Sequence, residues 1–219
     1  MSQFYEYNWP ITSVTDVALR QNLASTQALK LNGIYAEGVT GQANLASAGV
    51  VAQITLSSLQ NLGIPFVITG YQNGTFIQET LTGPNANTVT SVNCFDWIQS
   101  IVPTGVIPGG AVVSAGITSV GYFPFIMLNS EKKITNPAYA INFVAAAANP
   151  ASYTVYLSLM NVANLGTYNN LITNGIFQVK TAAATASALI QYTDVAKSLL
   201  IKVNPNANNS VLKAQFLQL

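Results

Sequence analysis

Apolar and polar residues alternate with a period of two through most of the chain, the spacing of half-buried strands. The strongest instance is the pair of β-rich runs that flank Asn73-Gly74, spanning Phe66 to Thr82. Asn-Gly supplies the two positive φ angles of a type I′ turn, so the segment predicts a hairpin. Ala48–Leu56 predicts a strand before it, with Ser57–Gly63 as a turn or loop. Gly83-Pro84-Asn85 breaks the chain, Thr88–Val92 predicts another strand, and Phe95, Trp97, Ile98 and Ile101 continue an apolar face. Pro103–Gly110 is punctuation, and Ala111–Ile117 predicts the last strand of this series. A second series starts at Phe125–Leu128 and continues through Tyr139–Val144, Tyr153–Leu159, Ile176–Val179, Leu199–Val203 and Val211–Leu217. Asn149-Pro150, Asn174-Gly175 and Asn204-Pro205-Asn206 separate several of these as turns, and Gly121 with Pro124 marks the boundary between the series. The alanine runs Ala145–Ala148 and Ala182–Ala184 are too short to propagate a helix and are expected as loop or strand ends.

The opening 63 residues are less regular. Phe4, Tyr5, Tyr7 and Trp9 form an aromatic segment ending at Pro10. It either folds over its own core or reaches a neighbouring molecule, and these four are the candidate partner-contact residues. From Ser13 to Leu31, Val17, Leu19, Leu23, Ala24 and Leu31 make a helical stripe that β-branched residues and Asn interrupt, so irregular structure with short strands competes with a helix. Many short strands between turn signals predict an all-β fold: two antiparallel β-sandwich (jelly-roll-like) domains after a partly irregular N-terminal segment. Residues 1–63 are expected to pack with the first domain, 64–122 to form its core, and 123–219 to form the second.

Composition narrows the function. Of 219 residues 50% are apolar and only 7% charged, and there are 22 Asn, no His and one Cys. Disordered chains are poor in aliphatics and rich in charge, the reverse of this one. No apolar run approaches the roughly 18 residues of a membrane helix, and the first residues, Met1–Glu6, do not resemble a signal peptide. Without histidine, neither a Ser-His-Asp nor a Cys-His mechanism can be assembled, and zinc, copper and iron–sulfur sites lack their usual ligands. One cysteine, Cys94, allows no internal disulfide; beside Phe95 it reads as a small buried hydrophobe. A net charge of +1 with scattered basic residues gives no stripe for tracking phosphates, so no nucleic-acid partner is expected. The seven carboxylates, Glu6, Asp16, Glu37, Glu79, Asp96, Glu131 and Asp194, show no paired-acid or Ca²⁺-loop spacing and are expected as isolated surface or turn acids. Glu131-Lys132-Lys133 is the one charge cluster, placed on an exposed loop. Asn73-Gly74-Thr75 and Asn208-Asn209-Ser210 fit the glycosylation pattern but are taken as chance. No catalytic residue, metal or cofactor is therefore assigned.

A surface so poor in charge lacks the repulsion that keeps monomers apart, and Lys and Glu are depleted in interface cores. Homo-oligomerisation or coverage by other subunits is expected. Lys202 and Lys213 are the charges on the two closing strands, whose edges are therefore expected to be open for pairing.

Val67 to Ile101, with I-T-G before the turn, E-T-L-T-G-P after it and T-V-T-S…F…I-Q-S-I beyond, resembles a module of structural proteins in tailed-bacteriophage virions. The Gly- and Val-rich stretch Gly109–Gly121 is similar to that module's continuation. Phe125–Leu128, Asn136-Pro137, Tyr153–Tyr156, Ser198–Val203 and Phe216–Gln218 resemble the domain that often follows it. The likeness covers residues 64–219. Relatives often carry a basic residue with R-L-x-V character before the last turn, whereas Lys202 here stands on the other register. The resemblance implies a virion building block, made in the host cytoplasm and bound to the major capsid protein or other virion proteins, most simply as a capsid cement or decoration protein. A head–tail junction or tail component is the alternative, as is a host-receptor or carbohydrate-binding module with Tyr and Asn contacts.

Overall fold

A computed structural model describes residues 3–23, 26–38, 41–128, 139–145, 151–192, 196–205 and 212–218. Every strand pairing described is antiparallel, and the fold is all-β and sandwich-like. The chain divides into a central unit, Thr12–Thr118, and a terminal unit made of Met1–Ile11 with Ser119–Leu219.

In the central unit one five-stranded sheet has the order β3-β4-β9-β6-β7. Its members are β3 (Ala36–Glu37), β4 (Gln42–Asn44), β6 (Pro65–Gln72), β7 (Thr75–Thr82) and β9 (Trp97–Pro103). The other layer contains β2 (Ala18–Asn22), β5 (Val51–Ser58), β8 (Thr88–Phe95) and the start of β10 (Val112–Met127), with β5 between β8 and β10. The expected hairpin forms: β6 and β7 pair from Pro65↔Thr82 to Gln72↔Thr75, and Asn73 and Gly74 between them have φ of 51° and 71°. Alternation places Phe66, Ile68, Ile77 and Leu81 inward with Ile54, Leu56, Phe95, Ile98 and Ile101. Each such side chain contributes about 1.5–3 kcal/mol by leaving water. The coil segment before β2 passes so close to β10 that a Cβ at Gly116 would lie 1.8 Å from the Ser13 carbonyl oxygen.

The described residues of segment 13–31 hold a short strand, β2, and no helix. Val17, Leu23, Leu29 and Leu31 are buried while Leu19 is exposed, a pattern that follows the irregular path of the chain rather than a helical stripe. Ala24 lies outside the described residues.

The terminal unit also has two layers. One is the sheet β1-β16-β11-β14, formed by β1 (Gln3–Asn8), β11 (Tyr139–Ala145), β14 (Ala188–Tyr192) and β16 (Leu212–Gln218). The other runs β13-β12-β15-β10, with β12 (Ala151–Ser158), β13 (Gln178–Ala184), β15 (Ser198–Pro205) and the end of β10. Phe143 of β11 and Tyr153 of β12 stack between the layers, centroids 3.8 Å apart and planes within 10°. A short helix, α1 (Tyr168–Thr173), is capped by Thr167, whose Oγ1 accepts the Asn170 N–H. It buries Tyr168 edge-on against Tyr122.

This division differs from the expected 1–63, 64–122 and 123–219 at two places. Strand β1 belongs with the C-terminal residues because it pairs with β16, from Gln3↔Gln218 to Asn8↔Lys213. Gly121 and Pro124, expected to mark the boundary, lie inside β10, a strand that runs through the division between Thr118 and Ser119. Pro124 is tolerated there because the β10–β15 register shifts between Phe123 and Ile126, a bulge where no ladder donor is needed. Ala182–Ala184 completes β13, and Ala145 ends β11. Ala146–Ala148, the turn at Asn149-Pro150, Glu131–Lys133, Asn136-Pro137, Asp194 and Asn208–Ser210 lie outside the described residues. No helix of the described residues is long and apolar enough to cross a membrane.

Candidate assembly surface

The aromatic segment sits on its own chain. With β1 paired to β16, the period of two turns Tyr5, Tyr7 and Trp9 to the core side and leaves Glu6 and Asn8 exposed. Tyr5 contacts Phe216 at 5.9 Å, Tyr7 stacks on Phe123 at 5.4 Å, and Trp9 meets Phe123 edge-on at 5.7 Å. Trp9 is 3% exposed, its backbone N–H donates to the Leu212 carbonyl at 2.8 Å, and its indole N–H has no acceptor among the described residues. Burial, with the neighbouring Tyr5 phenol, pushes the Tyr7 phenol up. Phe4 occupies the opposite register, across from Leu217. The outer face of this sheet carries a polar ladder. Lys213 pairs with Glu6 at 2.8 Å, the Gln215 amide donates to Glu6, and Asn142 donates to Gln215.

The described carboxylates serve the fold. Asp16 accepts the Ser13 N–H at 2.6 Å, and burial raises its carboxyl. Burial first and the Asp16 charge second push the neighbouring Tyr35 phenol up to about 12. Asp96, alone between β8 and β9, accepts the Asn73 N–H at 2.6 Å and donates its own N–H to the Tyr71 carbonyl, bracing the hairpin turn. Burial raises its carboxyl too. Glu79 reaches from β7 to β8 and accepts the N–H groups of Val92 and Asn93, joining two sheet edges. Glu37 accepts from the Asn44 amide. No group of three His, Cys, Asp or Glu among the described residues gathers as a metal site, and Cys94 is buried.

Two exposed features remain. In the terminal unit, β13 lies at the end of its sheet, with β12 as its one ladder partner among the described residues. Beside it a groove of about 660 Å³ is lined by Leu157, Leu159, Met160, Ile176, Val179 and Lys180. Leu159 is 70% and Val179 59% exposed. The closing strands β15 and β16 have no open edges, contrary to the sequence-based expectation: β15 lies between β12 and β10, and β16 between β1 and β11. Lys202 accordingly lies over the Tyr122 ring, 5.9 Å from its centroid, instead of guarding an edge.

The other feature is on the outer face of the five-stranded sheet. Phe76, Tyr71, Trp97 and Asn44 stand in register across β7, β6, β9 and β4. Tyr71 and Phe76 meet at 5.6 Å with planes 73° apart. Sequence reasoning missed this row because Trp97 was assigned to an apolar face together with Ile98 and Ile101. The one-residue offset between Trp97 and Ile98 is the signal that separates them. No protein-family model matches the chain, and no curated protein matches it.

Proposed function

We propose that the protein is a non-enzymatic structural component of a tailed-phage particle, acting as a capsid cement or decoration protein. It binds copies of itself or the major capsid protein through neutral β surfaces. The observation that carries this reading is the exposed apolar cluster Leu159, Met160 and Val179 beside the outer edge of β13. Edge strands in proteins that stay monomeric are usually short, charged, bulged or covered. β13 spans seven residues with Lys180 as its one charge, and although its ladder with β12 shifts register twice, its regular end at Gln178 and Val179 lies beside the apolar cluster. Strand addition there would join main-chain hydrogen bonds to burial of the groove's apolar side chains. The virion assignment itself is supported by the resemblance of residues 64–219.

Light scattering on the purified chain, together with co-sedimentation on assembled particles, tests the reading. Oligomers or particle binding are expected, and Val179→Lys, which puts a charge on the edge, weakens either. A chain that stays monomeric at high concentration and leaves particles bare overturns it.

A further inference from the structure

We propose that the row Phe76–Tyr71–Trp97 on the outer face of the central unit binds a neutral glycan, one pyranose ring packing against the exposed aromatic pair. The site lies within the central unit and stands independently of the assembly reading.

Aromatic rings are normally covered, because each holds a large apolar area. Among the residues whose side chains are described, the exposed aromatic ones are Tyr71 and Phe76, at 37% and 54%, and they touch each other. Their edge-to-face arrangement makes a corner, not a flat plate, which suits a single ring or a chain end. The C–H face of a pyranose packs on such a ring, and its rim of hydroxyls needs donors and acceptors close by. The adjacent outward row provides them: Gln78, Thr69 and Ser100 are paired across β7, β6 and β9, and the last two share a 2.6 Å hydroxyl hydrogen bond.

Charge fixes the class of ligand. The cations of the central unit are Arg20 and Lys30, and neither is on this sheet. Its one outward carboxylate in this region, Glu37, is engaged by Asn44. Nothing here recognises a phosphate, sulfate or uronate, so the partner is uncharged. Area separates a sugar from a protein. Two rings supply at most about 150–250 Å² each, and both are already partly covered. A stable protein interface needs about 800 Å² per partner, and beyond the rings this face offers only the half-covered pair Val67 and Val102 among mostly Gln, Thr and Ser residues. The row is also held in place before any ligand arrives. Asp96 braces the turn next to Tyr71, and a Cβ at Gly70 would lie 2.2 Å from the Trp97 carbonyl oxygen, so β6 and β9 are locked close together. Preorganised side chains lose little entropy on binding.

The test is affinity electrophoresis of the full chain in gels containing mannan, dextran, galactan or a soluble β-glucan, with heparin as the anionic control. At least one neutral polysaccharide is expected to retard the protein, with heparin leaving it unaffected. Phe76→Ala should weaken that retardation up to about tenfold, the loss of one aromatic contact, without changing the far-UV circular dichroism melt. Tyr71→Phe should retain most of it. Because Trp9 is buried, the emission of Trp97 should respond to the ligand. Retardation by none of the four, equal retardation of Phe76→Ala, or retardation by heparin alone overturns the proposal. So does a Phe76→Ala chain that keeps its glycan behaviour but no longer sediments with particles, since the occupant is then a protein.

Discussion

The two units solve the same problem with opposite placements of rings and acids. In the terminal unit Tyr5, Tyr7, Trp9, Phe123, Phe143 and Tyr153 are gathered between the sheets, and the carboxylate of Glu6 stays outside on a polar ladder. In the central unit two acids are drawn inward as braces, Asp16 and Asp96, while Tyr71 and Phe76 stand in solvent. An acid brought inward must be matched with backbone N–H groups, because its desolvation is costly. A ring left outside forgoes the contribution its burial would make. The terminal unit follows the ordinary logic of stability. The central unit departs from it at the hairpin, where departures are expected to serve binding.

The largest effects should come from the terminal core. Phe143→Ala removes one partner of the closest ring stack among the described residues, with an expected loss of about 3–5 kcal/mol in denaturant unfolding; a loss below ~1 kcal/mol would mean that ring burial does not hold this unit together. In the central unit Gly116→Ala drives a methyl into backbone, and a loss of about 1–3 kcal/mol is expected from overpacking. Asp96→Ala leaves the Asn73 N–H without its acceptor and should cost about 1–3 kcal/mol. Asp96→Asn, which keeps an acceptor and sheds the buried charge, should cost less. Equal losses would show that the charge, not the hydrogen bond, is what the turn requires.

Acid should act on the two units in opposite directions. Burial raises Asp16 and Asp96 above the usual 3.8, so each supports folding fully below that value and loses its contribution as pH rises through the raised, folded-state value. Glu6 is held below its usual 4.5, first by the Gln215 amide and then by Lys213. Its contribution is present above 4.5 and is lost as pH falls through the lowered value. Amide exchange, corrected for intrinsic rates, should therefore show β1 and β16 loosening in acid while the Asn73 turn tightens. Parallel changes in both would remove the contrast. The smallest effect is expected at Phe76: Phe76→Ala should shift stability by no more than about 0.5 kcal/mol, against the large loss at Phe143.

Much of this was legible in the chain. The hairpin was readable from Asn73-Gly74 because only a few dipeptides accept two positive φ angles, and the strands from Val51 to Gln72 followed their alternation. Strand β1 was placed with the wrong partner because pairing across more than two hundred residues leaves no local mark. The helix α1 went unseen since six residues carry too little periodicity, although Thr167 was available as a cap. Pro124 reads as a break between two series of strands because a bulge and a chain break look alike in one dimension. The exposed pair Tyr71 and Phe76 was also hidden. Alternation separates two faces, but it does not say which is wet when both carry rings.

The pairing of β1 with β16 has a consequence for synthesis on the ribosome. Gln3–Asn8 emerges before every other described strand, and the strand it needs, Leu212–Gln218, emerges after all of them. Throughout translation of the central unit those leading tyrosines and Trp9 have no sheet to join, while Thr12–Thr118 has every strand it requires. Folding order is thus imposed by topology: the middle matures first, and the ends close late. Until that closure the nascent protein exposes a sticky aromatic edge, and chaperone capture should map to the segment from Tyr5 to Trp9.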